Sequence, residues 1–249
     1  MTIHLMNCFT DNARWPSKLK TGMVCLLIES DQGLLLLDTG LGLDEYVSPT
    51  WMTRLFRIIT VMPFDPREAA IHRIRDLGFD PAEVRHILLT HMHFDHVSGL
   101  PDFPRAKVHV HRREYEAFTD GRIGLWTEYA YMPRHIAHRP EFALYDQVDS
   151  KWHDFDAIRL PFAPEMYLIP LFGHSQGHCG VAIRTSDGWF FHAGDSSAVY
   201  NDSTPKWLIR LVLGPHDARL RAFKREHPEV LMCNSHMFPE FFNQHPSVS

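Results

Sequence analysis

A chain of 249 residues with 45% hydrophobic content can bury one sizeable core, so a single domain over 1–249 is the expected organisation. A formal charge of −5 argues against a nucleic-acid partner, which would want a basic face. Four cysteines without a CxxC pair, an N-terminus (MTIHLMNCF) lacking a basic-then-apolar leader, and no apolar run near the roughly 18 residues of a membrane span together predict a reducing, cytoplasmic setting without a membrane partner.

MVCLLIES, residues 23–30, is an apolar run that DQG turns into LLLLDTG, which reads as a hairpin of buried strands. The stretch 49–64, PTWMTRLFRIITVMPF, is apolar on more than one face. It reads as a helix on the core or at a dimer contact, or as the lid or wall of a pocket. Trp51, Leu55, Phe56, Ile59 and Met62 would serve a homodimer interface as readily as a lid. Asp65-Pro66 with Glu68, and Asp80-Pro81 with Glu83, carry helix-start chemistry. HILLT (86–90) predicts a short strand, AKVHVH another, and RREYEAF a helix. MYLIPLF, VAIRTSDGWFFHAGD and EVLMCNSH predict further strands, with Asp187-Gly188 as a hairpin turn, and PHDARLRAFKREH predicts an amphipathic helix before the last strand. That order is that of a layered α/β domain.

At four strand ends the apolar run stops and potential metal ligands follow. ILLT leads to His91, His93, Asp95 and His96, LIPLFG to His174, GWFFHAG to Asp195, and VLMCNS to His236. Loops at strand ends converge at one sheet edge, where a rigid scaffold holds them. Five histidines and two aspartates are too many for one tetrahedral zinc and suit two metals with open positions. The donor types suit Zn²⁺, and also Fe or Mn. Two divalent ions outweigh two aspartates and a bridging hydroxide by about one positive charge, which favours the anion formed when hydroxide attacks a carbonyl. Bound metal also lowers the pKa of water from 15.7 to roughly 7. The high count of 18 histidines fits metal binding without locating it.

HxHxDH at 91–96, GHSQGH at 173–178, HAGD at 192–195 and NSH at 234–236, in this order after LLLLDTGL, resemble the metallo-β-lactamase superfamily over about residues 20 to 240. The resemblance implies an α/β fold of the four-layer αββα sandwich type with metals at one sheet edge. It further implies that His91, His93 and His174 hold one metal, that Asp95, His96 and His236 hold a second, and that Asp195 bridges them. Asp38 is a candidate to orient a ligand histidine. His178 is either a supporting residue or packed near the loop. His192 is expected to pack rather than bind. His109 and His111 alternate on one strand without a local carboxylate and are set aside as ligands. His135 and His138 fall in an aromatic stretch that reads as pocket wall or surface helix.

Within the superfamily, size, ligand set and apolar flanking segments resemble the N-acyl homoserine lactonases. Those enzymes carry a tyrosine three residues after the bridging aspartate. Here Ala198 stands there and Tyr200 lies two further on, so Tyr200 and Asp95 are the candidates for proton transfer. A glyoxalase II-like thioesterase shares the ligand set but adds basic C-terminal residues, which MFPEFFNQHPSVS lacks. A β-lactamase proper fits less well, because Asp95 plus His96 is the second-metal set of other branches. A nuclease relative would need an inserted domain and a basic face, and a flavodiiron reductase a carboxylate where His93 stands. The expectation is a dinuclear hydrolase opening the lactone or ester carbonyl of a small-molecule substrate. A thioesterase is the alternative, and a metal-binding protein without turnover the different class. An apolar tunnel lined by 51–64 and 207–212 would favour an acyl chain, and a cluster of Lys and Arg a glutathione thioester.

Overall fold

The computed structural model describes residues 2–12, 20–120, 128–198 and 204–248. Two sheets stand face to face among the described residues. The first is built from β1 (Ile3–Asn12), β2 (Lys20–Ser30), β3 (Gly33–Leu37), β4 (Val84–Leu88), β5 (Lys107–His111) and β6 (Phe142–Tyr145). β1, β2 and β3 pair antiparallel, and β3 through β6 run parallel. The second contains β7 (Ser150–Trp152), β8 (Phe155–Arg159), β9 (Met166–Pro170), β10 (Cys179–Thr185), β11 (Gly188–His192) and β12 (Leu231–Cys233). It is antiparallel up to β11, and β12 joins β11 parallel. Two short pieces complete the first sheet: β13 (His236–Met237) on β2 and β14 (Ser247–Val248) on β1.

The apolar runs of the central strands are continuous because both faces of each sheet are covered. On β3, Leu35 and Leu37 enter the core between the sheets, against Val181, Ile183 and Phe190. Leu34 and Leu36 point the other way, into a core that includes Ile74 of α3 (Ala70–Asp76) and Phe118 of α5 (Arg112–Asp120). On β11, Phe190 faces the inter-sheet core while Phe191 meets Leu220 and Phe223 of α7 (Asp217–Glu226). Period-two alternation thus generates helix, sheet, sheet, helix, the expected αββα sandwich. Each fully buried Leu or Phe contributes about 1.5–3 kcal/mol relative to exposure. Three such cores therefore hold the strand ends rigidly.

Local departures from the sequence reading have physical causes. Asp65 and Asp80 do cap, accepting from Arg67 N at 3.0 Å and Ala82 N at 2.9 Å, but each caps only a 3₁₀ turn, at 66–68 and 81–83. Glu68, the expected capping-box partner of Asp65, is drawn away to Thr10, accepting from its N–H and its hydroxyl, each at 2.7 Å. The second turn runs straight into β4, which leaves no length for a helix. The β10–β11 hairpin closes through Ser186-Asp187, one residue earlier than expected. Gly188 is already paired to Thr185, with φ at 146°, a conformation open to glycine. Residues 51–60 form α2 (Trp51–Thr60), as the stretch 49–64 predicts.

Candidate metal centre

β4 ends at Leu88, and Leu89-Thr90-His91-Met92-His93 runs on into α4 (Phe94–Val97), which carries Asp95 and His96. His174 follows β9, Asp195 sits in the 3₁₀ turn 194–196 after β11, and His236 opens β13 after β12. All seven candidates converge. His91 Nε2 and His174 Nε2 each lie 3.1 Å from His93 Nδ1. On the other side, His236 Nε2 is 3.6 Å from Asp95 Oδ2, and His96 Nε2 is 3.9 Å from the same oxygen. Asp195 stands between: its Oδ1 is 3.7 Å from His96 Nε2, and its Oδ2 is 3.4 Å from His174 Nε2 and 3.7 Å from His236 Nε2. Three groups, His91/His93/His174, His91/His96/Asp195 and Asp95/His96/His236, each keep their donor atoms within 4.8 Å.

Bonds on the outer ring nitrogens assign the tautomers. Asp38 Oδ2 accepts from His96 Nδ1 at 2.9 Å and from the Thr90 hydroxyl at 2.8 Å, while Oδ1 accepts from Thr90 N at 2.9 Å. With its own proton committed to Asp38, the Thr90 oxygen accepts from His91 Nδ1 at 3.0 Å. His174 Nδ1 donates to the Val212 carbonyl at 2.7 Å, in α6 (Lys206–Leu213). His91 and His174 therefore turn an Nε2 lone pair inward, and His96 points its Nε2 the same way. One proton on His93 Nδ1 cannot serve both His91 and His174, and it would leave His93 Nε2, which is buried without a hydrogen-bond partner, as a bare acceptor. A cation among the three nitrogens satisfies all of them, and their 3.1 Å spacing approaches the edge of a tetrahedron with about 2.0–2.1 Å bonds. The residues present fit a metal.

The electrostatics divide the centre. Burial lowers His91 well below the usual histidine range and His93 to about 3, and neighbouring imidazoles press the same way. Burial also disfavours charge on His96 and His236, but there the carboxylates win. Asp38, Asp95 and Asp195 hold His96 well above its ordinary value, and Asp195 with Asp95 pushes His236 up to about 10. Burial likewise opposes ionisation of Asp195 and Asp95, and is outweighed by His236 and His96, which hold Asp195 well below the carboxylate range and lower Asp95. One half offers neutral lone pairs, and the other holds protons that a cation would displace.

Supporting residues complete the picture. Asp38 plays the expected orienting part and does so at φ 54°, a left-handed conformation that aspartate tolerates better than most residues. His178 supports the Asp195 turn: its Nε2 accepts from Asp195 N at 2.9 Å and its Nδ1 donates to Ser196 Oγ at 2.9 Å. A side chain on Gly194 would place Cβ 2.3 Å from that Nε2. His192 packs, accepting from Gly194 N at 3.2 Å. His109 lies outside the centre between His86 and Tyr145, and His111 accepts from Arg113 N. His135 is buried on Glu45 at 2.8 Å, and His138 is exposed. Tyr200 lies outside the described residues.

Glu114 of α5 had no motif to announce it. It is fully buried and accepts four hydrogen bonds: from Met92 N at 2.8 Å and Tyr131 Oη at 3.0 Å on Oε1, and from Ser175 Oγ at 2.7 Å and Gly177 N at 2.8 Å on Oε2. Met92 separates His91 from His93, and Ser175 follows His174. One carboxylate thus ties together the loops that bear the three-histidine group. Asp11, at the end of β1, is a second unforeseen neighbour. Burial raises its pKa, against a bond from Thr60 and the charge of His236.

The family model of the metallo-beta-lactamase superfamily matches residues 23–225. The chain belongs to the metallo-beta-lactamase superfamily. The chain is 33% identical over 198 residues to a probable metallo-hydrolase of Mycobacterium tuberculosis. That match covers 78% of this chain but 62% of the mycobacterial protein's length. It is 24% identical over 185 residues to the N-acyl homoserine lactonase of Bacillus thuringiensis, covering 72% of this chain and 67% of that one. Among solved structures, a B. thuringiensis AiiA variant with N-decanoyl-L-homoserine at its active site superposes with a TM-score of 0.67 at 17% identity, over 97% of this chain and 95% of the other. AidC, a dizinc quorum-quenching lactonase, gives 0.57 at 17% identity, over 88% and 74%. At that identity the structural likeness establishes the metallo-beta-lactamase fold alone.

Proposed function

We propose that the protein is a dinuclear metal-dependent hydrolase that opens the carbonyl of a lactone or ester, with N-acyl homoserine lactones as the substrate class. The carrying observation is Asp195, whose carboxylate lies between the two groups of donors, with Oδ2 3.4 Å from His174 of one and 3.7 Å from His236 of the other, and Oδ1 3.7 Å from His96. His91, His93 and His174 would hold one ion, Asp95, His96 and His236 the second, and Asp195 would join them. Divalent ions there, Zn²⁺ foremost and Fe or Mn by donor type, would supply hydroxide at neutral pH and polarise the substrate carbonyl. Asp38, Thr90 and the Val212 carbonyl keep imidazole lone pairs turned inward. Asp95, ionised and facing the centre, is the group to take up the proton released during attack. Tyr200 is the candidate donor to the leaving alkoxide, since a phenol of pKa about 10 suits that transfer. The lactone assignment draws on the lactonase relatives and on the apolar helices α2 and α6 bordering the centre.

A thioester with an anionic tail is the second reading. It is favoured by a cavity of about 440 Å³ between α6 and α7, lined by Lys206, Arg210, Arg221 and Arg225 with Asp217 as the one carboxylate. A panel of acyl homoserine lactones, glutathione thioesters, phosphodiesters and β-lactams on metal-reconstituted protein, with and without chelator, separates the two. Elemental analysis should find close to two metals per chain, and Asp195→Ala should lose at least one. Saturation of the wild type at one ion, or turnover that survives complete chelation, would refute the dinuclear reading.

A further inference from the structure

On α2 the usual amphipathic order is inverted. Its buried residues are Thr53 and Thr60. Trp51, Leu55, Ile58 and Ile59 are 53%, 42%, 70% and 52% exposed. At 3.6 residues per turn these four share one stripe about 100° wide, the width a surface helix ordinarily turns inward. α6 repeats the feature, with Trp207 69%, Leu211 46% and Val212 40% exposed. An exposed apolar stripe of this kind marks a site of interaction.

The charge on these helices narrows the partner. α2 (WMTRLFRIIT) carries Arg54 and Arg57, and α6 (KWLIRLVL) carries Lys206 and Arg210. Neither helix contains a carboxylate, although the chain as a whole is at −5. Both helices border the metal centre. The Phe56 ring sits 5.5 Å from that of Phe94, the residue between His93 and Asp95, and Val212 O holds His174.

We propose that these two helices dock the protein on the surface of an anionic lipid bilayer, with the Trp51, Leu55, Ile58 and Ile59 stripe and Trp207 entering the interface. Helices with a Trp- and Leu-rich face flanked by Lys and Arg lie in the headgroup plane, and tryptophan favours that boundary. Each cation near an anionic leaflet strengthens partition roughly fivefold. A second copy of this chain fits less well, because pairing α2 or α6 with either helix of another copy sets cation against cation with no carboxylate between them. No described helix is long and apolar enough to cross a membrane, and surface docking requires none. The proposal does depart from the expectation of no membrane partner, which rested on the lack of a span. It does not depend on which carbonyl compound is hydrolysed.

The test is flotation of the full, metal-loaded chain with vesicles of phosphatidylglycerol and phosphatidylcholine, or of phosphatidylcholine alone, at low and high salt. Sedimentation without lipid reports the oligomeric state. The expected result is binding to the anionic vesicles at least tenfold tighter than to the zwitterionic ones, weakened by salt. Ile58→Glu and Trp207→Glu should each lower it at least tenfold, and Arg54→Gln by roughly fivefold. Wild-type metal content and melting temperature in the variants would confirm that they fold. No binding to anionic vesicles, equal binding to both lipids, or a lipid-free dimer that Ile58→Glu dissociates would overturn the proposal.

Discussion

Glu114 is the residue whose alteration most sharply tests how the centre is held together. It is buried on α5 and receives two backbone N–H bonds, from Met92 and Gly177, and two hydroxyl bonds, from Ser175 and Tyr131. In Glu114→Gln one oxygen becomes an NH₂. Either orientation of the amide sets that group against a backbone N–H, Gly177 in one case and Met92 in the other. A buried donor left unpaired costs about 1–3 kcal/mol. Space offers no escape, because Gly177 packs so closely on Glu114 that a Cβ there would lie 2.2 Å from Glu114 N. Glu114→Ala orphans all four donors and should cost several kcal/mol, enough to threaten a domain of ordinary stability.

Stability alone does not distinguish positioning from packing, so metal affinity is the deciding measurement. If Glu114 sets the separation of the His91/His93 loop from the His174 loop, Glu114→Gln should weaken the three-histidine group. Groups that orient metal ligands typically govern about 10–100-fold in affinity. Competition against a chelating dye on folded Glu114→Gln should show one ion weakened by that factor and the other retained. Calorimetry of the metal-free protein gives the stability cost separately. Zinc affinity within twofold of wild type, alongside a lowered melting temperature, would show that Glu114 holds the fold and not the centre.

Asp38→Asn keeps one acceptor but faces an NH₂ toward either Thr90 N or His96 Nδ1, and asparagine accepts the φ of 54°. Affinity at the Asp95/His96/His236 group should fall about 10–100-fold, beside a stability loss of about 1–3 kcal/mol from the unpaired buried donor, and an unchanged titration would remove Asp38 from its orienting role. Burial, partly offset by a bond from Leu43 N, raises the Asp102 carboxyl from 3.8 to about 6. The fold then binds more protons than the unfolded chain between those values, so stability falls as pH rises from about 4 to about 6. Asp102→Asn, which stays neutral, should melt higher than wild type at pH 8, by at most about 3 kcal/mol before discounting for residual exposure, and should lose that advantage at pH 4. Equal melting at both pH values would show that the carboxyl carries no such cost. Tyr200→Phe should lower kcat at least tenfold with two metals still bound, because loss of one donor in a preorganised site costs about 10²–10³. Rates equal to wild type would exclude Tyr200 from the reaction.

The convergence of His91, His93, Asp95, His96, His174, Asp195 and His236 was legible because each of these residues follows closely after an apolar strand. Strand order carries strand-end loops to one edge, and the alternation of Leu34 to Leu37 already contains both faces of the first sheet. Glu114 was illegible for the opposite reason. Its partners Met92 and Ser175 lie 22 and 61 residues away, and RREYEAF looks like any solvated helix until the two loops are laid against it. Glu68 shows the same competition at small scale, where a local cap lost to Thr10, 58 residues distant. α2 lies between these cases. The period of its apolar residues was readable, but a period only says which side chains share a side, and the same pattern serves a core, a dimer contact or a lid. Which side turns inward was decided by Thr53, Thr60 and the half-buried Met52 and Phe56, a choice that only the surrounding core could impose. Because that choice leaves the tryptophan and isoleucines outside, the helix is evidence about the protein's surroundings as well as its fold.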